Sequence, residues 1–117
     1  MLPKQNRLQK EREFQRVFKS SRPINLEHFA IRVAKNLSKA ENIRFGFIIS
    51  NKIDKRSTRR NALKRQLREI SRSLILQLKP GYDVVVIVKR NPVYPYDQER
   101  IRMEYEEGLR KAGVIKI

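Results

Sequence analysis

Apolar positions along this chain fall into blocks with two periods. From Leu8 to Ser20, Phe14, Val17 and Phe18 share one side of a helical projection, with Lys10, Glu11, Glu13 and Lys19 elsewhere. That spacing predicts a first helix. His28 to Lys35 alternates instead. Phe29, Ile31 and Val33 point one way and His28, Ala30, Arg32 and Ala34 the other, which predicts a half-buried strand. Arg44 to Ser50 alternates again, Phe45, Phe47 and Ile49 against Gly46, Ile48 and Ser50. Gly46 within that strand predicts a bulge or a close approach by another chain. Thr58 to Leu78 returns to the helical period: at about 100° per residue, Leu63, Leu67, Ile70 and Leu74 form one stripe. Ser57 or Thr58 is its expected N-cap and Pro80-Gly81 its stop. Tyr82 to Lys89 is a near-continuous β-branched run, expected inside the sheet and covered on both faces. Tyr96 to Ala112 predicts a last helix, weakened near its end by Gly108.

The connections are polar. Ser20 to Asn25 reads as a turn or short edge strand, since Pro23 cannot sit in a central one. Asn36 to Asn42 is a polar link, Asn51 to Ser57 a basic loop, and Asn91 to Pro95 a loop carrying two prolines. Met1 to Arg7 reads as a loose lead-in. The order α-β-β(-β)-α-β-α predicts an α+β fold with a single mixed β-sheet and helices packed on it. At 117 residues, without repeats or a dividing linker, residues 1–117 are expected to form one domain.

Charge changes the picture most. Lys and Arg number 28 and Asp and Glu 12, a net charge of +16. Folding does not need that excess, and self-repulsion makes it unfavourable. It implies a polyanionic partner. The surplus concentrates beside the apolar stripe of Thr58 to Leu78. Arg60, Lys64, Arg68 and Arg72 follow at i, i+4 spacing, Asn61 and Arg65 flank them, and Arg59 joins them in the first turn. Like charges at that spacing repel by a few tenths of a kcal/mol per pair, and cations in a first turn oppose the helix dipole. Ordered phosphates relieve both penalties, so this face reads as a nucleic-acid surface. An anionic membrane is the weaker fit. The stripe is Leu and Ile without Trp or Phe, and a domain this size needs it for its core.

The remaining chemistry is sparse. There is no cysteine, which excludes disulfides and thiolate sites. His28 is the single histidine and reads as a surface strand residue rather than a general base. The acids nearest the basic helix, Asp54, Glu69 and Asp83, belong to three elements, whereas a metal-dependent nuclease needs carboxylates converging on its ions. The N-terminus lacks the apolar run of a signal peptide, and nothing approaches the ~20 apolar residues of a membrane span. A cytoplasmic protein without membrane association is expected.

Arg60-Asn61-x-x-Lys64-Arg65-x-x-Arg68-Glu69 resembles the signature of the protein subunit of bacterial ribonuclease P. Arg44-Phe-Gly-Phe-Ile-Ile-Ser-Asn-Lys52 and Phe14-Gln-Arg-Val-Phe18 resemble further blocks of that family, in family order, so the likeness runs from about Arg7 to Lys89. The loop Asp54 to Arg59 departs from the family's Gly-Asn-Ala-Val-like lead, and Arg32 stands where the family carries an aromatic residue. The resemblance implies a fold shared with a ribosomal-protein domain, including a left-handed βαβ crossover. It implies a catalytic RNA and precursor tRNA as partners, no obligate protein partner, and Mg²⁺ carried mainly by the RNA subunit and substrate. The protein would assist hydrolytic release of the 5′ leader without being catalytic itself. Lys52, Arg59, Arg60, Asn61, Lys64, Arg65, Arg68 and Arg72 are the expected RNA-binding residues. Phe14, Phe18 and Arg32 are expected to line a leader-binding cleft, a surface separate from the basic helix. Two other classes fit parts of the pattern: a ribosomal protein or general RNA chaperone, and a DNA-binding protein with the helix in a major groove.

Overall fold

The computed structural model describes residues 2–36 and 42–116. Strands β1 (Ile24–Asn25), β2 (Phe29–Lys35), β3 (Arg44–Ile48) and β4 (Tyr82–Val88) form one mixed sheet in the order β1-β2-β4-β3. β2 is antiparallel to β1 and β4, and β3 runs parallel to β4. Helices α1 (Glu11–Ser20), α2 (Ser57–Leu74) and α3 (Gln98–Lys111) complete the α+β architecture. The link expected from Asn36 to Asn42 falls mostly outside the described residues.

The sheet is covered on both faces. On one, α2 and α3 close over Phe29, Ile31, Phe45, Val84, Val86 and Val88. On the other, α1 sets Val17 against Ala34 and Val85, with Phe14, Phe18, Ile48 and Ile87 half-buried around them. This corrects the reading of β2 as half-buried: its alternate positions face two cores rather than core and water. β4, flanked by β2 and β3, is the doubly covered central strand its composition predicts.

Four local details depart from expectation. Arg56, not Ser57 or Thr58, occupies the N-cap of α2, and its side chain makes no capping bond. The helix gives way after Leu74 to a 3-10 turn, Ile75–Gln77, short of Leu78. The lead-in is not loose: Leu2 is fully buried, Asn6 donates to the Ile43 carbonyl at 2.7 Å, and Arg7 pairs with Phe45 in a parallel bridge along the free edge of β3. That pairing starts α1 at Glu11 rather than Leu8. His28 is tied to α3: its backbone N–H and its Nδ1 each lie 2.7 Å from a Glu104 carboxylate oxygen.

The two glycines inside elements are packing positions. A Cβ on Gly46 would collide with the Phe14 ring, so the close approach there is by a side chain of α1. Gly108 lies against Ile31 and Leu26 and lets α3 approach them closely, and the helix runs on to Lys111. Between α2 and α3, the Ser71 hydroxyl donates to the Leu67 carbonyl at 2.7 Å. The buried Tyr105 hydroxyl, 2.7 Å from Ser71 Oγ, is therefore the donor to Ser71. Burial pushes the Tyr105 phenol far above its ordinary value, keeping that proton in place.

Candidate nucleic-acid interface

The apolar stripe of α2 is buried from Leu63 to Leu74, which turns the other faces of the helix outward. No acid stands in its first turn, so its N–H dipoles and its cations act with the same sign. Thr58, Asn61, Lys64, Arg65 and Arg68 line an open hollow of about 410 Å³. Lys64, Arg65 and Arg68 form no ion pair among the described residues.

The other cations of the predicted row have partners. Arg60 donates to the Asp54 carbonyl at 2.7 Å, bracing the loop that leads into α2. Arg59 lies over the Tyr94 ring at 4.0 Å, and its own carbonyl accepts from the Tyr96 hydroxyl. Arg72 is held by Glu69 at 2.8 Å. That bond is the main reason the Glu69 carboxyl sits below its ordinary range. Lys52 is exposed on the turn after β3. The structure thus divides eight predicted RNA-binding residues into a cluster around one hollow, three braced cations and one outlying lysine.

The atypical loop has its own anchor. Asp54 Oδ1 accepts from the Arg56 N–H at 2.9 Å and Oδ2 from Asn91 at 3.0 Å. The Arg56 bond leads in holding this carboxyl below its ordinary range. Asp54 thereby fixes the α2 entry against the loop after β4.

Of the predicted cleft residues, Arg32 meets Phe18, and Phe14 packs against the same small core. Phe14 and Phe18 are half-buried on α1, presenting part of each ring to solvent. Arg32 places its guanidinium 5.0 Å from the Phe18 ring centre and donates to the Phe18 and Ser21 carbonyls at 3.2 and 2.8 Å. It pins the C-terminal end of α1 to the sheet. A network that sequence reasoning missed pins the rest. Fully buried Asp83 accepts from Arg44 at 2.9 Å and from Arg16, and Arg44 also reaches Glu13 at 2.5 Å. Burial acts to raise the Glu13 carboxyl. Backbone N–H groups of Lys10 and Gln9, with Arg44, outweigh it and hold the group below its ordinary value. The four residues sit on three elements, and no local spacing signals their meeting.

The two surfaces adjoin. Arg65 and Arg68 of the α2 hollow also line a second one with Arg7 and Glu69. Arg7 and Arg68 then line a third with Phe14 and Gly46.

Asp54, Glu69 and Asp83 stay in these three separate settings. Among the described residues, the His and carboxylate groups that gather closely enough to share an ion are Glu27, His28 and Glu104, beside α3. No helix among the described residues is long and apolar enough to cross a membrane.

Comparison with known proteins is consistent over nearly the whole chain. The family model for ribonuclease P matches residues 2–113. The ribonuclease P protein component of a Synechocystis species is 36% identical over 114 residues, covering 97% of this chain and 90% of that protein. The Cyanothece counterpart is 33% identical, covering 98% of each. Among solved structures, the Thermotoga maritima RNase P protein superposes with a TM-score of 0.75 at 28% identity, covering 90% of this chain and 96% of that one. A Staphylococcus aureus RNase P protein gives 0.82 at 25% identity, covering 95% and 98%. The chain belongs to the ribonuclease P family, and the relatives it matches are protein components of that ribonuclease.

Proposed function

We propose that this chain serves as the RNA-binding, non-catalytic protein subunit of a cytoplasmic ribonucleoprotein endoribonuclease that removes the 5′ leader of precursor tRNA. The observation that carries this reading is the hollow on α2, where Asn61, Lys64, Arg65 and Arg68 converge without neutralising acids. Arg presents paired donors that match phosphate oxygens. Asn61 adds both a donor and an acceptor. This face suits structured catalytic RNA.

The cleft between α1 and the sheet suits single-stranded leader. Half-exposed Phe14 and Phe18 offer flat surfaces on which any base can stack, at ~1–3 kcal/mol per base. The Arg32 guanidinium extends that platform while its N–H groups remain engaged with α1.

The described residues do not fit a Mg²⁺ site beside these surfaces. Mg²⁺ favours octahedral oxygen ligands, and Asp54, Glu69 and Asp83 spend their oxygens on separate partners. We assign the metal to the RNA subunit and substrate, and the chain's work to binding and positioning.

The test is reconstitution. Purified chain added to a bacterial catalytic RNA with Mg²⁺ is expected to raise 5′ cleavage of precursor tRNA at near-physiological salt, while protein alone leaves the substrate intact. Cleavage by RNA-free protein that survives nuclease controls would falsify the non-catalytic assignment. Failure to stimulate the RNA would remove the subunit reading.

A further inference from the structure

Arg7 has no place in the basic helix or the aromatic cleft, yet it stands where the two meet. Its backbone is fixed by the bridge to Phe45, with the Leu8 N–H donating to the Phe45 carbonyl at 2.8 Å. Its side chain is thereby held against the edge of β3 rather than left on a flexible tail. Arg7 Nε is buried and makes no hydrogen bond. A buried guanidinium donor without an acceptor is unfavourable and uncommon in native proteins.

The hollows around Arg7 say what kind of acceptor suits it. Arg7 shares one of about 300 Å³ with Arg65, Arg68 and Glu69, and one of about 80 Å³ with Arg68 and Phe14. Glu69 is the acid facing this junction, and it is already bonded to Arg72. The junction therefore keeps a cationic excess. It opens on the α2 hollow at one end and on the Phe14 ring at the other.

We infer that Arg7 and Arg68 together seat one phosphate of the RNA strand that enters the aromatic cleft, joining the α2 face and the cleft into a single track. This rests on the proposed reading that the chain binds leader-bearing precursor tRNA. Two arginines approaching one phosphodiester supply paired charge-assisted hydrogen bonds, and the Arg7 guanidinium, whose buried Nε holds no partner that would be lost, is free to turn toward that acceptor. A base next to that phosphate lies within reach of the Phe14 ring. The arrangement replaces two independent surfaces with one whose halves share Arg68.

The experiment measures affinity of the reconstituted holoenzyme for precursor tRNA and for mature tRNA. The variants are Arg7→Ala, Arg68→Ala, the double variant, and Arg65→Ala as reference. Arg7→Ala keeps the backbone bridge, and a melting curve on each protein verifies the fold. Each single change is expected to weaken precursor binding about tenfold, while mature tRNA binding shifts less than about twofold. Because both side chains grip one phosphate, the double variant is expected to lose about 10- to 20-fold, not the roughly 100-fold of independent sites. Arg7→Lys is expected to recover only part of the loss, since it restores charge without the planar fork. Multiplicative losses in the double variant overturn the shared seat. Equal losses with mature tRNA overturn the leader assignment. If Arg7→Ala binds like wild type while Arg65→Ala weakens assembly with the catalytic RNA, the inference fails and the subunit reading stands. If neither matters, both fall.

Discussion

Helices α2 and α3 pack side by side against the same face of the sheet, and each contributes a buried stripe. Leu63, Leu67, Ile70 and Leu74 come from α2, and Ile101, Tyr105 and Leu109 from α3. Their outward faces differ in kind. Along α3, Glu99, Glu104, Glu106 and Glu107 are balanced by Arg100, Arg102, Arg110 and Lys111. Pairs at i, i+3 and i, i+4 spacing run down it, Arg102 with Glu106 and Glu107 with both Arg110 and Lys111. Asp97 caps its N-terminus by accepting from the Glu99 and Arg100 N–H groups. Along α2, six cations face Glu69 alone, and no side chain caps the start. One helix satisfies its own termini and charges. The other leaves its start uncapped, and Lys64, Arg65 and Arg68 without an ion pair among the described residues, while sharing the same core. The excess on α2 is thus not a requirement of folding or solubility, because α3 meets those demands without it.

The largest effect should show the helices as equals. Leu67 and Leu109 are both fully buried. Leu67→Ala and Leu109→Ala are each expected to lower unfolding free energy by about 2–5 kcal/mol, read from denaturant midpoints. A loss confined to one helix would mean that the shared core is not cooperative.

The next prediction separates them. Arg65→Ala and Arg68→Ala are expected to weaken binding to the catalytic RNA and make the salt dependence shallower. The slope of log affinity against log salt should fall by roughly 0.7–0.9 for each phosphate no longer neutralised. Arg110→Ala, which removes an equal charge from α3, should leave the slope in place. Matching slopes in all three would reduce α2 to a generic contributor of net charge.

The aromatic ring of Phe18 on α1 offers a third test. Phe18→Ala is expected to reduce discrimination between leader-bearing and leaderless tRNA by about 1–2 kcal/mol if one stacked base is lost. A melting curve comes first, since truncating a buried Phe costs ~3–5 kcal/mol and Phe18 is half-buried. Folded Phe18→Ala that still discriminates as wild type would make the ring part of the core and place the leader elsewhere.

What the sequence reveals and conceals follows the range of the interactions. The α2 stripe, the β4 run and the edge position of Ile24–Asn25 depend on composition and period within a few residues, and each appears where the pattern puts it. The double covering of β2 is hidden because Ala30 and Ala34 are too small to signal burial beside Arg32. The cation row looks uniform in sequence because its partners are partly remote: Arg60 finds a loop carbonyl, and Arg59 finds Tyr94 from beyond β4. Arg72 with Glu69 is legible at i, i+3. Arg7 carries no local sign at all, since its position depends on pairing with Phe45, far along the chain.

The smallest prediction has opposite signs on the two helices. Lys64 lies at i, i+4 from both Arg60 and Arg68, and neither neighbour is its ion-pair partner. Replacing it with Gln removes two repulsive pairs at nearly unchanged helix propensity. Like-charge pairs at this spacing cost about 0.2–0.5 kcal/mol each, so free Lys64→Gln protein is expected to gain about 0.5 kcal/mol at low salt. Arg110→Gln removes the pairing with Glu107, 3.7 Å away on an exposed face. It is expected to lose no more than about half a kcal/mol. Raising salt should shrink both differences, because screening acts on repulsion and attraction alike. Adding catalytic RNA should reverse the first: once phosphates occupy the α2 hollow, Lys64 becomes favourable and Lys64→Gln melts below wild type in the complex. If Lys64→Gln destabilises the free protein, the α2 face is internally compensated, and the contrast with α3 no longer points to a polyanion.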